Sequence, residues 1–127
     1  MATILIIDDE PFLIMVLKDQ FKKMRGHEVI GANTGDEGIK LVMKKMPDLI
    51  MLDMGLPDMD GLQIIKLLKA NEKTKNIPVI MCTAKDSVSD VDESFRLGAV
   101  GYIVKPFSLQ RIRDKIDEIL GTSSTVR

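Results

Sequence analysis

Five short apolar runs divide the chain at fairly regular intervals. They are rich in isoleucine, valine and leucine and occupy residues 4–7, 29–32, 49–52, 79–81 and 102–104. Their nearly continuous apolar character is typical of strands covered on both faces of a parallel sheet, because an exposed antiparallel sheet alternates apolar and polar positions. The pattern therefore predicts five buried strands.

Between these runs, apolar residues recur at three- and four-residue steps, which is the spacing of one helix face. Pro11 suits the first turn of the first helix. Thr34 and Glu37 predict a capping box at the start of the second helix, which ends before Pro47. Gly61 opens the third helix. Each helix follows a predicted strand.

The last two predicted helices differ in how strongly their sequences favour a helix. Residues 88–97 form a short helix of mediocre helix formers that stops at Gly98, and we expect it to be the least stable of the five. Ser108 is a good N-cap for the final helix. Five strands alternating with five helices predict a doubly wound α/β fold with right-handed crossovers.

Size and composition narrow the class of protein. The 127 residues suit one domain, and 45% hydrophobic beside 29% charged residues is typical of a soluble globular protein. A net charge of -1 lacks the basic excess that nucleic-acid binding uses, so we expect no direct nucleic-acid binding. The residues 121–127, rich in serine and threonine, are predicted to be a flexible tail or the stub of a linker.

Compartment can also be inferred from the sequence. The single cysteine, Cys82, cannot form an internal disulfide, and the chain enters its first strand without a charged leader. No apolar run approaches the roughly eighteen residues that a membrane-spanning helix needs. We expect a cytoplasmic protein without a membrane segment.

Polar residues whose side chains could bind a ligand or take part in a reaction follow four of the strands. Asp8 and Asp9 come after the first strand, Asp53 after the third, Thr83 after the fourth and Lys105 after the fifth. In open α/β sheets, ligands bind at the carboxyl ends of the strands. One cleft can therefore gather all five side chains.

Each residue alone also has a structural explanation. Asp9 could cap the first helix, Thr83 could cap a turn, and Lys105 could be a solvated charge. Three carboxylates brought together would repel one another, however, and a hard cation would relieve that repulsion. Oxygen ligands favour Mg²⁺ over zinc, and His27 is interpreted as a bystander.

The chemistry predicted for this cleft is phosphoryl transfer. A carboxylate is ionised at neutral pH and needs no general base to attack phosphorus, while Mg²⁺ and a lysine ammonium can neutralise the phosphoryl oxygens. Asp53 is the nucleophile that we select.

Four motifs in order carry a family resemblance. They are the pair Asp8-Asp9, the segment Asp53-Met54-Gly55-Leu56-Pro57-Asp58-Met59-Asp60-Gly61, the pair Thr83-Ala84, and Tyr102 followed by Lys105-Pro106-Phe107. With these motifs the chain resembles a response-regulator receiver domain of two-component signalling over residues 1–120. The resemblance implies the flavodoxin-like, CheY-like fold with strand order 2-1-3-4-5.

The resemblance further implies roles for individual residues. Asp53 would be phosphorylated by a sensor histidine kinase or a histidine phosphotransfer protein. Asp8, Asp9, Asp53 and the backbone carbonyl of Gly55 would hold Mg²⁺, with Asp8 acting through water. Lys105, preceding a cis bond to Pro106, would contact the phosphoryl group.

The same resemblance implies the output. Thr83 would move its hydroxyl towards the phosphoryl group, and Tyr102 would turn inward, which would change the surface of helix four, strand five and helix five. Val100 and Gly101 replace the acidic pair used by many dimerising regulators, so we expect a monomer or weak dimer. We expect a signalling switch with a downstream protein target, not an enzyme.

Three other readings remain open. An aspartate-nucleophile phosphatase would place a second aspartate where Glu10 stands. A flavin mononucleotide carrier would need hydrogen-bond donors after strand one, where this chain has Asp8, Asp9, Glu10 and Pro11. A receiver-like interaction module that is never phosphorylated would not need to retain these acids and Lys105.

Overall fold

The computed structural model describes residues 2–121, without the side chains of residues 24 and 25. Of the predicted tail, only Gly121 falls within this part, and Thr122–Arg127 lie outside the described residues. The strands are β1 (Thr3–Ile7), β2 (Glu28–Ala32), β3 (Leu49–Leu52), β4 (Val79–Thr83) and β5 (Gly101–Val104). The helices are α1 (Pro11–Arg25), α2 (Gly35–Lys45), α3 (Gly61–Ala70), α4 (Val88–Arg96) and α5 (Leu109–Leu120).

All five strands form one parallel sheet in the order β2-β1-β3-β4-β5. The prediction of a doubly wound sheet with order 2-1-3-4-5 is confirmed. Strand β4 continues two residues beyond its apolar run, so that Thr83 is its last residue. The carboxyl ends of β1, β3 and β4 therefore meet at one edge, where the site lies.

Two hydrophobic layers hold the helices against the sheet. One layer joins Leu5, Ile50 and Leu52 of the sheet to α2, α3 and α4, and the other packs Ile6 and Met51 against α1 and α5. Alternate residues of each strand face opposite layers, because side chains in a strand point to the two faces in turn. The continuous apolar runs are explained by this two-sided burial.

Helix starts match the predicted positions, with one correction. The Thr34 hydroxyl accepts a hydrogen bond from the Glu37 N–H at 3.1 Å, as predicted. The Glu37 carboxylate, however, accepts from the N–H of Asn33, not of Thr34, so only half of the predicted capping box forms. A complete box occurs at α3, where Asp60 and Gln63 are its members.

Two further sequence expectations can be compared with the structure. The Lys105–Pro106 peptide bond is cis, as the resemblance implied. Among residues 2–121, every helix is too short or too polar to cross a bilayer.

Candidate functional site at the carboxyl edge of the sheet

Backbone hydrogen bonds fix the residues that follow the strands. The N–H of Asp8 donates to the carbonyl of Ala32 at 2.9 Å, and the N–H of Asp53 donates to Ile7 at 3.0 Å. The N–H of Lys105 donates to the carbonyl of Thr83 at 2.8 Å. The parallel ladder thus extends one residue beyond the strands and aligns these side chains along one cleft.

Three carboxylates converge in this cleft. Asp8, Asp9 and Asp53 each offer one oxygen, and these oxygens lie within 4.8 Å of one another. Asp8 and Asp53 are buried, with 2% and 8% of their surface exposed, whereas Asp9 is exposed. Asp9 does not cap α1, because Glu10 occupies the N-cap position and no side chain caps that helix.

Lys105 supplies positive charge to this cluster. Its Nζ lies 2.7 Å from Asp8 Oδ2, 2.6 Å from Glu10 Oε1 and 3.6 Å from Asp53 Oδ2. Lys105 is therefore part of the site and not a solvated surface charge. Glu10 belongs to the cleft as well. It is not among the site residues predicted from the sequence, and its position directly after Asp8 and Asp9 is the sequence feature that points to it.

The proton affinities reflect burial and charge. Burial raises the pKa of Asp8 above its usual value, and this effect exceeds the opposite influence of the hydrogen bond and charge of Lys105. For Lys105 the balance is reversed. Burial lowers its pKa, but hydrogen bonds to Asp8 and Glu10 together with nearby carboxylate charges outweigh burial, and the pKa is raised. Lys105 is thus a firmly protonated ammonium.

The loop after β3 holds Asp53 through short-range contacts. The N–H of Gly55 donates to Asp53 Oδ1 at 3.2 Å. Gly61, at the start of α3, lies so close to this loop that an added Cβ would be 2.5 Å from the carbonyl oxygen of Asp53. A side chain larger than hydrogen would push α3 away from the site.

Asp58 ties the same loop to another helix. Its two carboxylate oxygens accept the N–H groups of Gly35 at 2.7 Å and Asp36 at 2.9 Å, at the start of α2. These hydrogen bonds lower the pKa of Asp58. The loop that carries Asp53 is therefore anchored both to α3 and to α2.

Thr83 and Tyr102 border the loop between β4 and α4. Thr83 is buried at the cleft, and its hydroxyl accepts a long hydrogen bond of 3.4 Å from the N–H of Lys85. The Tyr102 hydroxyl donates to the carbonyl of Lys85 at 2.7 Å and lies 3.3 Å from Met54 Sδ. Tyr102 already points inward in this structure, with 9% of its surface exposed.

His27 lies away from the cleft. It is buried, and its Nδ1 accepts the N–H of Ala2 at 3.0 Å, so it contributes to the packing at the start of β1 and β2. The interpretation of His27 as a bystander of the site agrees with this position.

The donor set of the cleft fits a hard divalent cation. Each ligand atom offered by Asp8, Asp9 and Asp53 is a carboxylate oxygen, which suits Mg²⁺, and the exposed Asp9 leaves a side open for water ligands. Gly55 lines the same cleft with Asp9 and Asp53. The cluster of acids and the adjacent Lys105 ammonium can therefore stabilise a cation and an anionic group side by side.

Comparison with known proteins identifies the family. The model of the response regulator receiver domain matches residues 4–117. Sporulation initiation phosphotransferase F of Bacillus subtilis is 37% identical over 121 residues, which cover 95% of both chains. The receiver domain of the Francisella response regulator 1452 superimposes with a TM-score of 0.87 at 26% identity, covering 96% of this chain and 98% of that one.

A longer relative matches through part of its length. The DNA-binding dual master transcriptional regulator RpaA of Synechocystis is 37% identical over 120 residues, which are 94% of this chain but 49% of the regulator. The chain spans about half the length of that relative and nearly the whole of the sporulation protein. On the family match and the fold together, this chain belongs to the response regulator receiver domains of two-component signalling.

Proposed function

We propose that the protein is a phosphorylation switch in which Asp53 accepts a phosphoryl group. The observation that carries this proposal is the convergence of one oxygen each from Asp8, Asp9 and Asp53 within 4.8 Å, with the Lys105 ammonium 3.6 Å from Asp53. This arrangement supplies a nucleophile, a cation site and a countercharge in one cleft.

The proposed donor is the phosphohistidine of a sensor histidine kinase or of a histidine phosphotransfer protein. A carboxylate oxygen of Asp53 attacks phosphorus, an O–P bond forms, and the N–P bond breaks with its electron pair returning to the histidine ring. A carboxylate nucleophile carries no proton that a general base would have to remove. Lys105 then neutralises the oxygens of the transferred group.

Asp8, Asp9, Asp53 and the backbone carbonyl of Gly55 are the groups that would hold Mg²⁺, with Asp8 acting through water. When bound, Mg²⁺ neutralises negative charge on the transferring phosphoryl group. The Lys105 ammonium offsets the negative charge of Asp8, because its Nζ lies 2.7 Å from Asp8 Oδ2.

The output follows from the new charge. A phosphoryl group adds roughly 1.5 to 2 negative charges and three strong acceptors at Asp53. Thr83, at the end of β4, lines the same cleft as Asp53 and would respond to that change. Lys85 links Thr83 to Tyr102, because its N–H donates to the Thr83 hydroxyl and its carbonyl accepts from the Tyr102 hydroxyl. We propose that this link alters the surface formed by α4, β5 and α5, which binds a downstream protein.

The name of one relative supports phosphoryl transfer as the function. The Bacillus subtilis relative is named a phosphotransferase, and this chain covers nearly all of it. We propose a receiver domain over residues 1–120 followed by a tail or linker stub, located in the cytoplasm, monomeric or weakly dimeric, and without turnover of an external substrate. Nucleic acid is not a proposed partner of this domain, because its net charge is -1.

The central experiment is chemical phosphorylation followed by intact mass measurement. The full chain is incubated with Mg²⁺ and acetyl phosphate, and we expect the mass of one phosphoryl group to be gained. Asp53→Asn should gain none, and Asp36→Asn, which changes an exposed aspartate of α2, should gain as much as the wild type. An unmodified wild-type chain would refute the phosphoacceptor and favour the unphosphorylated interaction module.

Signal transmission is tested separately. Thr83→Ala should still accept the phosphoryl group, because the nucleophile and the acids remain. Amide hydrogen exchange in α4 should then change less on phosphorylation than in the wild type. Equal changes in the two proteins would show that Thr83 does not couple the site to α4.

A further inference from the structure

A basic groove runs along the outer edge of strand β2, away from the phosphoacceptor cleft. Lys18 and Lys22 of α1 and Lys45 of α2 line it together with β2 itself. Because the sheet order is β2-β1-β3-β4-β5, this edge and β5 lie at opposite ends of the sheet. A partner in this groove would leave the surface of α4, β5 and α5 uncovered.

Strand β2 can accept another strand at this edge. Its pairing with β1 uses Glu28, whose N–H donates to Ala2, and Ala32, whose carbonyl accepts from Asp8. Residues that bond to one neighbour alternate along a parallel strand, so Val29 and Gly31 direct their N–H and carbonyl groups outward. Among residues 2–121, no backbone group pairs with those of Val29 and Gly31 from the outer side.

The charges around the edge favour one kind of partner. Lys18, Lys22 and Lys45 are exposed and form no ion pair within the described part of the chain, in contrast to Lys23 and Lys40. Lysines beside an edge strand repel a second copy of the same edge. The same three ammonium groups attract a strand that carries carboxylates.

Lysines lie on both faces of the sheet beside β2, Lys18 and Lys22 on the face covered by α1 and Lys45 on the face covered by α2. Val29 packs in the layer of α1, whereas Ile30 packs in the layer of α2. The side chains of an added strand would likewise alternate, pointing in turn to the lysines of α1 and to Lys45. Lys18 and Lys22 are one helical turn apart, about 6 Å along the axis, which is close to the spacing of about 7 Å between alternate residues of a strand.

We propose that the edge of β2 is a docking site for an extended acidic segment of a partner protein. The segment adds to the sheet as a sixth strand, bonds to the backbone of Val29 and Gly31, and places two carboxylates, two residues apart, against Lys18 and Lys22. The main-chain bonds give affinity, and the lysines select acidic sequences. This recognition is independent of phosphorylation at Asp53.

The proposal is tested with the peptide acetyl-Thr-Glu-Val-Glu-Val-Thr-amide and the ¹⁵N-labelled full chain. We expect chemical-shift changes centred on β2 and slower amide hydrogen exchange at Val29 and Gly31. Ile30, whose N–H faces β1, should change little in exchange. The K18Q/K22Q double variant should bind the peptide at least fivefold more weakly, because two charge contacts are lost.

Control variants and a control peptide distinguish binding at the edge of β2 from general attraction between charges. The K23Q/K40Q variant has the same charge change on other surfaces and should bind like the wild type. A peptide with lysines in place of the glutamates should not bind. Circular dichroism should show that both variants stay folded, as expected for exposed lysines.

Several outcomes would overturn the proposal. Equal binding by K18Q/K22Q and wild type would exclude the lysines as the selective element. Shift changes without slower exchange at Val29 and Gly31, or equal changes with free glutamate, would indicate an anion site without strand addition. Slow exchange of these amides at high protein concentration without peptide would indicate pairing with a second copy.

Discussion

Lys105 is the residue on which the charge balance of the cleft depends. Its ammonium contacts Asp8 and Glu10 at hydrogen-bond distance and Asp53 at 3.6 Å. The burial of Asp8 raises the pKa of that carboxyl, so the cluster bears a cost that Lys105 only partly offsets. Removing the charge of one of these carboxylates should therefore strengthen the contacts of the Lys105 ammonium with the other two.

The first residue-level prediction concerns Glu10. Glu10→Gln removes one of the two closest partners of Lys105, so that the ammonium is shared by Asp8 and Asp53 alone. Phosphorylation by acetyl phosphate should become about two- to fivefold faster, since a half-exposed ion pair contributes up to about 1 kcal/mol. The rate of mass gain is the measurement.

Glu118→Gln is the matched control for this prediction, because Glu118 is an exposed glutamate of α5 that pairs with Lys115 away from the cleft. It should leave the rate unchanged. A slower rate in Glu10→Gln than in Glu118→Gln would show that Glu10 assists phosphorylation instead of restraining Lys105.

The second residue-level prediction concerns Tyr102. Burial, followed by the charges of Asp90, Asp86 and Asp53, raises its pKa from 10.0 to about 12. Because Tyr102 is the only tyrosine and the chain has no tryptophan, ultraviolet absorbance reports its ionisation directly. We expect a titration midpoint near the raised value in the folded protein and near the ordinary one in urea.

The stability effect of Tyr102 follows from the same shift. The folded state binds the phenolic proton more tightly than the unfolded state, so the contribution is complete below pH 10 and is lost as the pH rises towards 12. Tyr102→Phe should lack this pH-dependent loss. A folded-state midpoint at the ordinary value would contradict the burial of the Tyr102 hydroxyl beside these aspartates.

At the level of elements, the site depends on how closely α3 approaches the end of β3. The start of α3 is fixed by the box between Asp60 and Gln63, and Gly61 lies directly against the backbone of Asp53 and Met54. Asp58 adds the anchor to α2. The position of Asp53 is thus set by two helices and not by β3 alone.

Gly61→Ala tests this close approach. The new methyl group would lie 2.5 Å from the Asp53 carbonyl oxygen and 2.7 Å from Met54 Cα, both of which are backbone atoms that cannot rotate away. We expect a loss of roughly 1 to 3 kcal/mol in the free energy of unfolding, measured with urea.

Gly55→Ala provides the comparison within the same loop. A Cβ at Gly55 would meet no atom within 4 Å, so its effect on stability should stay within about 0.5 kcal/mol. Similar losses for both variants would mean that backbone flexibility, and not the contact with α3, determines the cost.

At the level of the whole molecule, the fold concentrates negative charge where the strands end. Asp53 is more than forty residues away from Asp8 and Asp9 in sequence, yet the sheet order brings one oxygen of each within 4.8 Å of the others. Folding therefore assembles a repulsive cluster, and a cation that binds only the folded state should stabilise it.

Mg²⁺ should consequently raise the free energy of unfolding. The expected gain is about 2.7 kcal/mol when the free ion is at one hundred times its dissociation constant. Asp9→Ala removes one proposed direct ligand and should abolish most of the gain, whereas Asp36→Ala should retain it. Thermal or urea unfolding with and without Mg²⁺, at constant ionic strength, is the measurement, and an undiminished gain in Asp9→Ala would place the ion elsewhere.

The amount that could be predicted from sequence differs between fold and site. The strand positions could be predicted from the sequence, because burial on both faces produces continuous apolar runs such as Leu49–Leu52. The positions of Asp8, Asp53 and Lys105 followed from their place after those strands. Only half of the capping box at α2 was predicted correctly. The sequence spacing predicts that the Glu37 carboxylate accepts from the N–H of Thr34, but in the structure it accepts from the N–H of Asn33.

The sequence by itself determined the strands, the helices and the residues that meet at the carboxyl edge, because burial, helix periodicity and strand direction leave local patterns. Only the tertiary structure decided that Glu10 shares Lys105, that Asp58 caps α2, that Tyr102 bonds to Lys85 and that three lysines flank the outer edge of β2. Such contacts join distant segments through long side chains. Their partners depend on strand order and helix placement, which no local pattern records.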